Sequence, residues 1–572
     1  MRSPAPSPAR AEGSRALTGG LVVLVGFLTV CPVVLLLLGS FSEGLGAFGR
    51  LTLSKYREAY GDPGFGVILY NTLVFTVGSA AVCTALALFL AYLNTRTNIP
   101  GKFLFRILSI VPMMVPHILF CVSWVLLLNP SNGLLNLLFR EVLGLVSSPF
   151  NIYTLPGMIL VEALLDLPIA YLVLAPALSA FDATLEESSR VCGASTRRTL
   201  LRVTLPVLRP AILAAFILVI VRSLASFAVP SVIGIPGRIY VLASHIYRLI
   251  ATGFSPDYGQ AAAVGTSALA ASIILVVLYR RLTASTERFV TVSSRGFRPA
   301  ILDLKGAKLP LSLAVGLLSF VLIALPVLVL GYVSLLPYSM VPGAKAFALM
   351  SLKNWRQVLA DPISVLALRN SLLLGVGGAA LGMILSFFVS WVIVRVRSTA
   401  SGLLESLSFL SFSFPGIVIG VGFLWFFVFT PLYGTLWALL LGYIATYLPY
   451  GIRPLTSALV QVHGHLEESS RVCGAGRLAT LRRIVFPLLV PGIVSGWILM
   501  ATMFVRELSL SVVLSRPGTE VLAVQILRFS EDGLWGRLAA LGIVMILLST
   551  SLVVIAGLVG RQRMRAFGLE GN

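Results

Sequence analysis

The stretch that decides the fold occurs twice in the chain. Residues 186–193 read EESSRVCG, and residues 467–474 repeat the same eight letters 281 positions later. The correspondence continues at the same spacing, since Pro206 matches Pro487 and Pro210 matches Pro491. An identical octapeptide followed by matching prolines is not expected by chance, so the chain is a tandem repeat.

The repeat extends in both directions from this stretch. Upstream, the matches lie 299 positions apart: Leu53, Tyr56, Asp62, Pro63 and Asn71 with Leu352, Trp355, Asp361, Pro362 and Asn370. The difference of 18 between the two spacings predicts extra residues around 130–150. Downstream, Tyr258-Gly259 parallels Trp535-Gly536. The sequence predicts a first half at 1–290 with its core at about 69–280, a linker at 291–308, and a second half at 309–572 with its core at about 369–560.

Composition places both halves in a membrane. Of the 572 residues, 57% are hydrophobic and only 11% are charged, and the mean hydropathy is +0.96. These values exclude a soluble enzyme, a disordered chain and a disulfide scaffold. Apolar runs of about 20 residues can cross a bilayer as helices. Twelve are predicted, at 20–41, 69–93, 103–128, 153–178, 207–233, 260–279, 311–336, 371–394, 405–429, 435–459, 489–514 and 537–560.

The charge distribution predicts the orientation. With the N-terminus in the cytoplasm, the inside segments hold 27 Lys and Arg residues and the outside segments hold 13. Positive residues accumulate on the cytoplasmic side, so both termini are expected there. The net charge of +21 then needs no nucleic-acid partner. The first apolar run is long for a signal peptide and no A-x-A site follows it, which favours a retained helix.

Each octapeptide lies in a predicted cytoplasmic loop, at 182–206 and 463–487, between the fourth and fifth spans of its half. The pattern predicts a short amphipathic helix, a break at Gly, a second short helix, and a Pro that opens the next span. Such a loop protrudes and offers its surface to a cytosolic partner. The alternative is a basic loop held against lipid headgroups, but that needs neither Glu nor a fixed Gly.

This loop resembles the EAA loop of binding-protein-dependent ABC importer permeases, which reads E-(A/S)-(A/S)-x-x-x-G before a Pro-led span. Two departures stand out: both copies have Ser-Ser where the family usually has Ala-Ala, and Cys192 and Cys473 replace a commoner Leu. The residues that carry the resemblance are Glu187, Ser188, Ser189, Gly193 and Pro206, with Glu468, Ser469, Ser470, Gly474 and Pro487.

The resemblance implies an all-α polytopic membrane protein. Two tandem six-helix halves of the MetI-like type would be related by a pseudo-twofold axis along the membrane normal. Each loop would act as a coupling helix in a groove of one of two cytosolic ABC ATPase subunits, with Glu187 and Glu468 pairing with basic residues of the ATPase and Gly193 and Gly474 allowing the turn. A periplasmic binding protein would deliver substrate to this bacterial inner-membrane permease.

Other stretches are similar to the fused permeases of the iron(III) group, so iron(III) is the expected substrate. They are YNTL at 70–73, RNSL at 369–372, IPGK at 99–102, PLYGTLW at 431–437, VRELS at 505–509 and RPGTEVL at 516–522. Thiamine, polyamine and phosphonate permeases are near relatives and remain alternatives. An alternative of another class is a twelve-helix ion-coupled transporter, which needs titratable groups near the midplane. The chain offers few, Asp166 being the best, and such a transporter has no use for docking loops.

The chain itself is not expected to be an enzyme or to hold a cofactor. It contains no G-x-x-x-x-G-K-[ST] phosphate loop, and neither G-x-S-x-G nor H-E-x-x-H occurs. The four His residues have no metal-site spacing, and the five Cys residues form no C-x-x-C pair. ATP hydrolysis is therefore assigned to separate subunits.

Charges inside the predicted spans are candidates for pathway or structural roles. Glu162 and Asp166 lie four residues apart, hence on one face of the fourth span, and Arg222 lies at a similar depth in the fifth. We predict a Glu162–Arg222 ion pair; the alternative is a carboxylate that faces a passing cation such as iron(III). Arg506 and Glu507 form a similar case at the outer end of the eleventh span.

Two further patterns concern helix shape. Pro112, Pro116 and Pro415 are predicted to bend the third span of each half. Gly378-x-x-x-Gly382 and Gly416-x-x-x-Gly420 predict close helix approach.

Overall fold

A computed structural model describes residues 8–43, 51–180, 182–251, 256–284, 301–396, 398–410 and 414–566. Within these ranges the fold is helical and has no named strand. In the part of the chain that the structure describes, nine helices are long and apolar enough to cross a membrane: Ala16–Ser40, Phe65–Arg96, Leu155–Ala180, Thr196–Ala225, Tyr258–Arg281, Lys305–Ser334, Pro362–Arg395, Leu481–Arg506 and Trp535–Leu558. They coincide with nine of the twelve predicted runs.

The other three predicted runs are broken or less apolar. The third consists of Lys102–Met114 and His117–Leu128, which meet at 106°. Pro116 explains the bend, because Val115 before it is extended and Pro has no N–H to continue the helix. The ninth run contains Thr399–Leu410 and Gly416–Phe427, the second preceded by Pro415. The tenth is one helix, Leu436–Gln461, whose polar residues lower its hydropathy. The predicted bend is confirmed at Pro116.

The spanning helices and two shorter helices follow the same order in both halves. A short helix precedes the second span, Ser54–Gly61 in one half and Lys353–Ala360 in the other. Another precedes the sixth and twelfth spans, Leu242–Ala251 and Leu522–Glu531. The additional residues predicted around 130–150 contain the extra helix Leu134–Leu143.

The two halves interlock through their first helices. The helix Pro8–Ser40 packs along both parts of the ninth span, in the opposite half. The helix Leu325–Ser334 packs in turn against His117–Leu128 of the first half. One buried apolar cluster therefore includes residues of both halves. An edge-to-face contact of Phe27 with Phe426, 5.3 Å between ring centroids, lies at this junction.

The predicted glycine contacts are present. A Cβ atom at Gly378 would lie 2.7 Å from Leu440 Cδ1, and one at Gly382 would collide with Met500. A Cβ atom at Gly420 would lie 3.2 Å from Val513. Glycine permits the close approach of the helices at these crossings, since a Cβ atom would force the neighbouring side chains to shift.

Candidate functional site: docking loops and interior charges

The first octapeptide forms the helix Ala183–Val191, which begins after an Asp182 side chain that accepts a hydrogen bond from Thr184 N at 3.0 Å. An N-terminal Asp satisfies a helix N–H that otherwise has no partner. The helix ends before Gly193, whose φ of +82° lies in the left-handed region that favours glycine. The next helix begins at Thr196. The predicted helix, glycine break and second helix are therefore present.

The second octapeptide has the same geometry. It forms the helix Gly464–Val472, followed by Gly474 with a φ of +84° and by the helix Arg477–Thr480. The second Ser of each motif joins the two helices. Ser189 Oγ lies 3.0 Å from Thr199 Oγ1, and Ser470 Oγ lies 2.9 Å from Thr480 Oγ1. Ser at this position thus fixes the shape of each hairpin.

The proline prediction was wrong in one respect. Pro206 and Pro487 do not open new helices, because the second loop helix continues into the span in both halves. A π-helical turn precedes each proline, at Leu200–Thr204 and Leu481–Val485. The wider turn accommodates a residue that lacks an N–H and whose ring crowds the preceding carbonyl. In each half, the second loop helix and the span that follows it are therefore one continuous helix.

The first Glu of each motif is buried and faces the membrane domain. Glu186 is 6% exposed; its Oε1 accepts the Thr204 hydroxyl at 2.7 Å, and its Oε2 lies 4.0 Å from Arg96 Nη1. In the second half, Arg395 Nε lies 3.0 Å from Glu467 Oε1. Our sequence reasoning did not single out these four charged residues. The signal was available, because Arg96 and Arg395 match at the 299-residue spacing.

The second Glu of each motif faces outward. Glu187 and Glu468 are exposed, as are the adjoining Ser188 and Ser469, and Glu468 Oε2 lies 3.3 Å from His465 Nδ1. Apolar side chains share these surfaces. Val191 and Val472 are both 88% exposed, and the matched Leu185 and Leu466 and the thiols of Cys192 and Cys473 are exposed as well. Two matched patches with a carboxylate and an uncovered apolar side chain have the character of protein contacts.

The interior charges are paired differently from the prediction. Arg222 Nε lies 2.7 Å from Asp166 Oδ1, whereas Glu162 Oε2 accepts the Ser226 hydroxyl at 2.7 Å. The predicted Glu162–Arg222 pair is replaced by an Asp166–Arg222 pair one helical turn away. The Asp166 side chain is only 2% exposed, and that of Arg222 is 32% exposed. Both carboxylates therefore join the fourth span to the end of the fifth.

In the second half, the corresponding tenth and eleventh spans are joined by different residue types. The Tyr447 hydroxyl donates to Glu507, whose other oxygen accepts Leu510 N at 2.7 Å. Tyr443 and Ser511 are linked at 2.6 Å between their hydroxyls. Tyr447 and Glu507 match Asp166 and Ser226 at the 281-residue spacing. The polar connection is thus repeated although its residue types are not.

Arg506 connects the halves. Its Nη1 donates to Met113 O at 3.0 Å and its Nη2 to Val115 O at 2.8 Å. These carbonyls lie at the bend of the third span, where Pro116 interrupts the helix and leaves them without helical N–H partners. A guanidinium satisfies two acceptors at once. Arg506 thus stabilises a broken helix of the opposite half.

Among the described residues, no group of three or more His, Cys, Asp and Glu could hold a metal ion.

The duplicated loops and the repeated spans define a membrane subunit with two matched, exposed loop surfaces. The profile of the binding-protein-dependent transport system inner membrane component matches residues 83–291 and 378–565, more than half of the chain. The chain therefore belongs to this family and is a multi-pass inner-membrane transporter subunit rather than an enzyme. Membership implies a substrate-binding protein and an ATPase as partners.

Two ferric permeases are similar to this chain over more than nine-tenths of its length. The chain is 27% identical to the ferric transport system permease protein FbpB of Actinobacillus pleuropneumoniae, over 95% of this chain and 78% of that protein. It is 22% identical to the Fe(3+)-transport system permease protein FbpB 2 of Haemophilus influenzae, over 92% and 95% respectively. A shorter match, 28% identical over 36% of this chain and 82% of the relative, is to the spermidine/putrescine permease protein PotC of Haemophilus influenzae.

Proposed function

We propose that the chain is a two-half permease of an iron(III) importer, driven by ATPase subunits that dock on its two loops. The observation that carries this proposal is the pair of matched loop surfaces, which expose Glu187 with Val191 and Glu468 with Val472. The likeness to two ferric permeases, over more than nine-tenths of this chain, supports iron(III) as the substrate. Thiamine, polyamine and phosphonate remain the alternatives among related permeases, and no contact in the described residues favours an ion-coupled transporter.

Two ATPase copies follow from two loops of matched sequence and shape, one copy on each. Glu187 and Glu468 pair with basic residues of the ATPase, and the neighbouring apolar side chains fill its groove. Closure of the two ATPases on ATP then moves the loops together, and the halves alternate between inward-open and outward-open states. Because the loops face the cytoplasm, both termini lie there too, and the binding protein approaches the outer face.

The interior carboxylates take a positioning role in this proposal. Asp166 is engaged by Arg222, Glu162 by Ser226 and Glu507 by Tyr447. A carboxylate that is buried against a helix partner is poorly placed to coordinate a passing cation, since it must first lose that partner. Selection of iron(III) is accordingly assigned to the binding protein, and the permease supplies the gated path.

The double variant Glu187→Ala with Glu468→Ala tests the proposal. Purified permease in lipid nanodiscs should retain its ATPase subunit during affinity capture, whereas the double variant should lose it. Asp532→Ala removes an exposed carboxylate at the outer end of the twelfth span and serves as the matched control. Retention of the ATPase by the double variant would contradict the docking assignment. Uptake of radioactive iron(III) by vesicles that contain the permease alone, driven by an ion gradient, would contradict the mechanism.

A further inference from the structure

The end of the linker is bound to the first half. We call residues 301–304 the linker strap. Its Leu302 N donates to Arg96 O at 2.7 Å, and Asn98 N donates to Leu302 O at 3.2 Å, so that Thr97 and Leu302 form a parallel β bridge. Paired backbone groups hold two segments in one register. The strap thus fixes the start of the second half against the loop that follows the second span.

Side chains reinforce this backbone pairing. Asn98 Nδ2 donates to Asp303 Oδ1 at 2.6 Å, and Asn98 Oδ1 accepts Leu304 N at 3.0 Å. Lys308 Nζ lies 3.0 Å from Asp303 Oδ1. The Asn98 amide, with the Lys308 ammonium and the Lys305 N–H, lowers the pKa of Asp303 to about 2. The carboxylate therefore stays ionised and remains an acceptor at any ordinary pH.

The linker strap contacts Arg96, which faces Glu186 in the helix Ala183–Val191; we call this helix the first coupling helix. Arg96, whose carbonyl receives Leu302 N, donates through its side chain to Leu178 O at 2.9 Å and faces Glu186. Leu302 lines the same small pocket as Arg96 and Glu186. A continuous set of contacts thus runs from the strap through Arg96 to Glu186, at the base of the helix Ala183–Val191.

The second half has the same Arg–Glu connection but a different neighbour. Arg395 contacts Glu467 at 3.0 Å and donates to Val462 O at 2.8 Å. The chain then passes into the helix Thr399–Leu410. Ser398, one residue before that helix, is engaged in it, since its Oγ accepts Ser401 N at 3.2 Å. In the part of the chain that the structure describes, no β bridge follows Arg395.

We infer that the linker strap is a positioning element that holds the first coupling helix, through Asn98 and Arg96, to the start of the second half. Asn98 and Asp303 are its positioning residues. The two ATPase-docking loops are then mechanically inequivalent, because movement of the second half reaches the first loop directly. This functional consequence rests on the proposed docking role of the loops, whereas the strap itself is a property of the permease alone.

Hydrogen exchange in the permease without ATPase tests the strap, and both coupling helices report in the same sample. Asn98→Ala should speed amide exchange in Ala183–Val191 about fivefold, the factor that corresponds to about 1 kcal/mol of lost local stability. Exchange in Gly464–Val472 should not change. Asp303→Asn keeps an oxygen acceptor for the Asn98 amide and should give a smaller effect than Asp303→Ala. Ser398→Ala, at the equivalent loop of the second half, is the matched control and should leave Ala183–Val191 unchanged.

Each outcome decides the inference. Faster exchange confined to the first coupling helix supports it, whereas equal effects on both helices, or none on the first, overturn it. In the assembled transporter, Asn98→Ala should lower iron(III) uptake per ATP hydrolysed while ATP hydrolysis continues, which mere loss of folded protein would not do. A failure of ATPase docking would leave the exchange result intact, so the two proposals fail separately.

Discussion

Replacing Gly474 by Ala should weaken ATPase binding through the backbone alone. The residue has a φ of +84°, and a Cβ atom there would meet nothing within 4 Å, so no collision contributes. A residue with a Cβ costs roughly 1–2 kcal/mol in the left-handed region. The alanine variant avoids this cost when free by leaving the left-handed conformation, so regaining the conformation for docking weakens binding by a factor of up to about 30. Gly193→Ala, at φ +82° and equally open, should have the same effect at the first loop.

Gly476 provides the matched control within the same loop. A Cβ atom at Gly476 also meets nothing within 4 Å, and its φ lies outside the left-handed region. Gly476 precedes the helix Arg477–Thr480. It corresponds to Ser195 in the first loop, whose side chain caps the N-terminus of the helix Thr196–Thr199. Gly476→Ser should therefore leave binding unchanged or improve it slightly.

The assay is a titration of nanodisc-embedded permease with its fluorescently labelled ATPase. Equal affinities for the wild type and Gly474→Ala would refute the reasoning. Comparable losses for Gly474→Ala and Gly476→Ser would also refute it, because the effect would then not depend on backbone conformation.

Two further substitutions test the membrane interior through the thermal unfolding midpoint. Arg222→Leu should destabilise the protein by about 3 kcal/mol, because Asp166 is left buried without its cation. Adding Asp166→Leu should recover most of the lost stability. Equal midpoints for the single and double variants would contradict the pairing. Gly378→Leu should destabilise by about 1–3 kcal/mol by forcing the helix away from Leu440, whereas Gly377→Leu, next to open space, should not. Indistinguishable midpoints for these two variants would show that the crossing is not close-packed.

The sequence was most informative where the same pattern of residues occurs in both halves. The octapeptides predicted both hairpins, and the spacing difference located the extra helix Leu134–Leu143. Pro116 correctly predicted a bend, because proline removes a backbone N–H, whereas the bend predicted at Pro112 is absent, since Pro112 lies within the helix Lys102–Met114.

Predictions that depended on exact depth or partner identity were less successful. Glu162 and Asp166 are four residues apart, about 6 Å along the helix axis, and a depth counted from uncertain span ends cannot choose between them. The structure pairs Arg222 with Asp166. The buried Glu186 could not be separated from the exposed Glu187 by pattern alone, since adjacent identical residues differ only in the direction they face on the helix.

The linker strap could not be predicted from the repeat. It depends on a pairing of Thr97 with Leu302, 205 positions apart, and it lies where the two halves differ. A repeat identifies what the halves share, so features that only one half possesses require the folded structure.

The most direct test of the central claim uses two native cysteines. Cys192 and Cys473 are exposed on the two loops that carry the repeated octapeptide, whereas Cys83 and Cys121 are buried. In inside-out vesicles, a membrane-impermeant maleimide should modify Cys192 and Cys473 in the permease alone. Bound ATPase should protect both thiols, and removing the ATPase should restore their modification. Unchanged modification of both thiols in the assembled complex, or modification only from the outer face of the membrane, would contradict the claim that these loops are the cytosolic ATPase-docking surfaces.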